Sequence, residues 1–117
     1  MRKIICITTY PPRECGIATF AQDLIRAILS KFGDSYSIKI CAVESDAEKH
    51  TYTEDVEYVL DTSDISAYAT LTRQLNENSE VKKVLVQHEF GLYAAQEEAF
   101  LQMLQQLLKP VILVFHT

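Results

Sequence analysis

What this chain lacks narrows its function more than its totals do. No apolar run approaches the ~20 residues that a membrane-spanning helix needs. The longest, PVILVF from Pro110 to Phe115, has the length of a buried strand. The opening MRKIICITT carries two positive charges, but its apolar part is too short for a signal peptide and gives way to a polar loop. Cysteine is scarce. Cys6, Cys15 and Cys41 make an odd number, with no C-x-x-C and no Cys/His zinc spacing. Cys6 and Cys41 fall inside apolar runs and are expected as small core residues. Cys15 lies in a loop, with no base close in sequence to activate it. Positive charge is also in deficit: 11 Lys and Arg stand against 16 Asp and Glu, a net charge of -5. That disfavours a nucleic-acid backbone as partner. Neither G-x-G-x-x-G nor G-x-x-x-x-G-K-[ST] occurs, which disfavours a nicotinamide or flavin dinucleotide and a Walker-type nucleotide. No cofactor is expected. Repeats and low-complexity segments are absent. The remainder is an ordinary cytoplasmic globular composition, 48% hydrophobic and 23% charged over 117 residues, enough for one domain.

What is present alternates between short apolar runs and amphipathic ones. KIICIT (Lys3 to Thr8) is β-branched and nearly all apolar, as a central strand covered on both faces should be. A helix is predicted over Ile17 to Phe32, with Ile17, Phe20, Leu24, Ala27 and Ile28 as its apolar stripe and Gly33 as its stop. Strands are predicted at Ser37 to Val43, Val56 to Leu60, Lys83 to Gln87 and Val111 to Phe115. Glu44 to Glu54 reads as a charged loop, with His50 solvated in it. A second helix, Ile65 to Asn76, is capped by Ser63 or Asp64 and turns Ile65, Tyr68, Leu71 and Leu75 inward. A third runs from Gln96 to Leu108, with Glu97 and Glu98 where the helix dipole favours them. The order β-α-β-β-α-β-α-β predicts an α/β fold, a Rossmann-like, doubly wound parallel sheet in three layers, of expected order 3-2-1-4-5.

Such a sheet binds ligands beyond the carboxyl ends of its strands, where the strand order reverses. With the expected order, that point lies between the first and fourth strands. The loops reaching it are unusual. TYPPRECG follows the first strand, HEFGLYAA the fourth, and His116-Thr117 the fifth. The first N–H groups of the helix after TYPPRECG face this crevice, and Gly16 permits close approach to the backbone, a setting that favours anions. His88-Glu89 is not a zinc motif, because position 92 is Leu and the pair follows a strand. It is read as a hydrogen-bonded strand end or as a ligand contact. Arg13 is an exposed loop arginine or a clamp on an anionic or hydroxyl-rich ligand. ESDAE (Glu44 to Glu48) reads as a solvated loop. DTSD (Asp61 to Asp64) reads as a helix cap and not a metal pair.

YPPRECGIATFAQDL, VQHEFGLY and KPVILVFHT together resemble the amino-terminal domain of family 4-type (group 1) glycosyltransferases of the GT-B fold, bacterial mannosyltransferase-like members above all. The resemblance spans essentially the whole chain. It implies that residues 1–117 are part of an acceptor-side Rossmann-like domain, whose carboxy-terminal donor domain is absent here. It implies an enzyme, active in the full-length protein and inactive as this piece. That enzyme moves a hexose, mannose among the candidates, from a nucleotide-sugar donor to a glycan or lipid-linked acceptor, with retention and without a bound metal. By the same resemblance His116 is the catalytic candidate, Gly16 and Ile17 approach the donor diphosphate, and Arg13, His88 and Glu89 lie on the acceptor side. The inner face of the membrane is then a second candidate location, by peripheral association of the full-length enzyme. Two departures stand out. Relatives often have a Gly-Gly pair where this chain has Ala94-Ala95, and the chain stops after the fifth strand. A piece of that extent is expected to expose a sheet edge or apolar face and to dimerise through it. The rival readings are a free-standing flavodoxin-like binding or regulatory module, and another GT-B enzyme such as a sugar-nucleotide epimerase.

Overall fold

The computed structural model describes residues 2–12, 16–32, 35–45, 50–89 and 91–116. The elements are β1 (Lys3–Thr8), α1 (Gly16–Phe32), β2 (Ser37–Glu44), β3 (Val56–Asp61), α2 (Ile65–Glu77), β4 (Val81–Glu89), a 3-10 turn (Ala94–Gln96), α3 (Glu97–Gln106) and β5 (Val111–His116). All five strands run parallel in the order β3-β2-β1-β4-β5. This is the expected Rossmann-like α/β arrangement. No helix among the described residues is long and apolar enough to cross a membrane.

Parallel order follows from the burial of the strands. In β1, Ile5, Cys6, Ile7 and Thr8 have no exposed surface, which requires cover on both faces. One cover is α1, over Cys6, Ile38, Ile40 and Ala42. The other consists of α2 and α3, which enclose Ile5, Ile7, Val43, Leu60, Val84 and Val86 with Tyr68, Leu75, Phe100 and Met103. Cys41 joins this second core. The outer strands β3 and β5 are half solvated. Val59, Ile112 and Phe115 are each at least half exposed, as on a sheet with two open edges.

Two stripes read from the sequence are corrected. In α1 the buried residues are Ile17, Ala18, Ala21 and Ile25, while Phe20 is 45% exposed. The helix lies on its small residues, Ala18 and Ala21, so it sits close to β1 and β2 and turns Phe20 toward the carboxyl edge of the sheet. In α2 Ile65 is exposed, and Tyr68, Leu71, Thr72 and Leu75 face inward. Asp64 is the cap: its Oδ1 accepts from the Ser66 N–H at 3.0 Å and the Ser66 hydroxyl at 2.8 Å. Asp61 Oδ1 accepts from the Ser63 N–H and hydroxyl, so both carboxylates of DTSD are used in local turns. Glu44 is not loop but the last residue of β2, only 6% exposed. His50 is half buried and meets the ring of Tyr52 edge-on, and its main-chain N–H donates to Glu44 Oε2 at 3.3 Å. Gly33 lies outside the described residues.

Candidate functional site at the carboxyl edge

The strand order reverses between β1 and β4, and their carboxyl ends are adjacent: Ile7 is level with Val86, and Gln87 follows. β1 runs into Thr8, Thr9 and Tyr10, all buried. The Thr8 hydroxyl donates to the Thr9 carbonyl at 2.9 Å. The chain then turns through Pro11 and Pro12, and α1 begins at Gly16. Gly16 is exposed and Ile17 buried, so the helix start is pinned by one side chain and open beside it. The first N–H groups of any helix lack partners within it.

Side chains alternate in direction along a strand. At the end of β4 this sends Gln87 and His88 to opposite faces of the sheet. Gln87 points to the α1 side. It is fully buried, and its Oε1 is bonded to Nε2 of His116, the last residue of β5. Phe20 of α1 meets the His116 ring edge-on, with centroids 5.1 Å apart and planes at 77°. Gln87, His116 and Phe20 therefore form one contact chain under the first turns of α1.

His88 points the other way, toward α3. Its ring lies between those of Tyr93, Phe100 and Phe115, at centroid distances of 5.5, 5.5 and 5.4 Å. Tyr93 and Phe100 are themselves stacked at 3.9 Å. This aromatic cage opens on a cavity of about 180 Å3 lined by His88, Gly91, Ala94 and Glu97. Burial holds the Tyr93 phenol well above its ordinary pKa, aided by the nearby Cys41 thiol. Its hydroxyl thus stays a donor, here to the Gln87 carbonyl at 3.1 Å.

Glu89 is exposed and lines a larger cavity of about 450 Å3, with Glu44, Ser45, Thr62 and Ser63 on the facing wall. Two carboxylates and three hydroxyls on one concave surface suit a hydroxyl-rich ligand. The backbone of Glu44 is fixed there by Thr62, whose N–H donates to the Glu44 carbonyl at 2.8 Å. A third cavity, about 420 Å3, lies between Tyr10, Pro12, Gln22 and Asp55. Among the described residues no three His, Cys, Asp or Glu side chains gather as a metal-binding group.

Comparison of the chain with protein-family models, with curated proteins and with solved structures found no significant match.

Of the residues singled out in the sequence, His116 lies under α1, the helix that Gly16 and Ile17 begin. Glu89 lies on the large cavity, and His88 is set apart in the aromatic cage. Arg13 and Cys15 lie outside the described residues. Three participants were missed: Gln87, Glu44 and Phe20. Gln87 carried a usable signal, as a polar residue closing the run KVLVQ, whose other inward positions are apolar. Glu44 and Phe20 carried none, since a charge beside a loop and an aromatic on a helical stripe both have commonplace explanations.

Proposed function

We propose that this chain is the acceptor-side domain of a nucleotide-sugar-dependent, retaining glycosyltransferase of the GT-B type, acting together with a donor-binding domain. The observation that carries the proposal is the contact between Phe20 and His116. It joins CGIATF to VFHT, two motifs on which the resemblance rests and which lie at opposite ends of the sequence, and it joins them at the edge where such folds bind ligands. VQHEFG completes the group through Gln87.

The chemistry asked of this edge is simple to state. The bond between the sugar's anomeric carbon and the diphosphate breaks, and negative charge grows on the departing phosphate. The dipole at the start of α1 has the right sign for that charge. A new bond forms from an acceptor hydroxyl, whose proton passes to the departing phosphate. On this reading His116 hydrogen-bonds the sugar or the acceptor hydroxyl, and the cavity of Glu44 and Glu89 holds the acceptor's other hydroxyls.

The test uses the full-length protein and a panel of nucleoside-diphosphate hexoses, mannose first, with transfer followed by release of the nucleoside diphosphate. His116→Ala is expected to lower turnover about 100-fold or more. Wild-type turnover in that variant would remove His116 from the mechanism. A full-length wild type that transfers no hexose to any glycan or lipid-linked acceptor would remove the transferase reading itself.

A further inference from the structure

Gln87 is the residue whose presence is least explained by folding. It is completely buried, on the face of β4 where Leu85 packs toward α1. Its Oε1 is taken by His116, and its Nε2 has no partner among the described residues. A buried donor left unmade costs on the order of 1–3 kcal/mol. A leucine or methionine would fill the same space without that cost. A primary amide at this position therefore works against stability unless its contact with the imidazole is worth keeping.

The contact has a specific chemical consequence. A carboxamide oxygen can only accept. With Oε1 facing Nε2, the neutral imidazole must carry its hydrogen on Nε2, and Nδ1 is left with a lone pair. Turning the amide over would place N–H against Nε2, move the imidazole hydrogen to Nδ1 and orphan the oxygen instead. The two arrangements thus predict opposite tautomers. Phe20, edge-on to the ring, restrains its plane in either case.

We infer that Gln87 is the positioning residue of His116: it holds the imidazole as the Nε2–H tautomer and so makes Nδ1 the atom offered to a ligand, an acceptor for a sugar or acceptor hydroxyl. The tautomer follows from the orientation of the amide, with Oε1 toward Nε2, and its catalytic consequence rests on the transferase reading.

Two measurements test this separately. In the 117-residue chain labelled at histidine nitrogen, two-bond proton–nitrogen correlation spectra near pH 8 should show His116 as the Nε2–H form alone. Gln87→Met should convert it to a mixture of tautomers. A wild-type Nδ1–H form, or a mixture like that of the variant, overturns the inference whether or not the variant folds. In the full-length enzyme Gln87→Met should lower kcat about tenfold or more with KM little changed. Gln87→Glu, which keeps an acceptor oxygen toward Nε2, should recover part of it. Equal kcat in wild type and Gln87→Met overturns the positioning role. A wild type without any transfer activity, beside the expected tautomer, overturns the transferase reading and leaves the tautomer assignment standing.

Discussion

The hydroxyl of Tyr93 donates to the main-chain carbonyl of Gln87, 3.1 Å away and out of contact with solvent. One residue thereby ties the loop after β4 back onto the end of β4. The loop carries the cavity-lining Gly91 and Ala95, and the strand carries Gln87 and Glu89.

Tyr93→Phe keeps the stack on Phe100 and deletes only this hydrogen bond. The expected loss is about 1–2 kcal/mol of unfolding free energy, because the Gln87 carbonyl stays buried. Urea denaturation measures it. Tyr93→Phe with wild-type stability would mean that the carbonyl finds another donor.

Gly91 has φ +86°, a conformation that side chains disfavour, and a Cβ placed there would touch nothing within 4 Å. The cost of Gly91→Ala is therefore conformational alone, roughly 1–2 kcal/mol. Gly91→Asn should lose less, since asparagine tolerates positive φ. Thermal melts of the two variants, compared in one buffer, check the ranking.

Asp64 closes the amino end of α2, with Ser66 as its partner. Asp64→Ala should cost about 1 kcal/mol and Asp64→Asn distinctly less, because asparagine retains the capping oxygen. A loss equal in both would assign the effect to charge at the helix dipole, not to the cap.

Alkaline pH should weaken the fold. Burial pushes the Cys6 thiol up from about 9 to about 12, and moves Cys41 further in the same direction, with the neighbouring Cys6 thiol adding to it. Tyr68 is likewise pushed up to about 12, by burial and then by Asp61. The unfolded chain releases the thiol protons near pH 9, whereas the folded chain keeps them to about pH 12. The folded state therefore binds more protons in that window, and stability falls as pH rises through it. Urea midpoints at about pH 7 and about pH 10.5 read the effect directly. Cys41→Ala should flatten the dependence, and a midpoint unchanged in wild type would contradict it.

On the transferase reading, Glu89 binds acceptor hydroxyls and takes no part in bond breaking. Glu89→Gln in the full-length enzyme should raise the acceptor KM about tenfold with kcat nearly constant. A fall in kcat at constant KM would place Glu89 in the chemistry instead.

The sequence by itself determined the framework. Five apolar, β-branched runs separated by amphipathic segments admit few arrangements other than a covered parallel sheet, and the right-handed crossover rule leaves little freedom in the order. Among the described residues, the five strands and three helices lie where the periodicity puts them, with ends shifted by only a few residues. β4 in particular begins at Val81 and ends at Glu89, beyond the apolar run at both ends. Burial of Cys6 and Cys41 was legible too, because each interrupts nothing in its strand.

Only the tertiary structure decided which face each edge residue serves. His88 and Glu89 adjoin in sequence, yet a strand's period of two sends one into an aromatic cage and the other to a polar cavity. Gln87 and His116 are far apart in sequence, yet the pairing of β4 with β5 sets them in contact. The rotation of α1 was likewise invisible. A helix with apolar residues on more than one stripe is oriented by whichever lies closer to the sheet, and here the small Ala18 and Ala21 give the tighter packing. That rotation is what frees Phe20 to reach His116. Register and close packing are long-range properties, and no local pattern of residues encodes them.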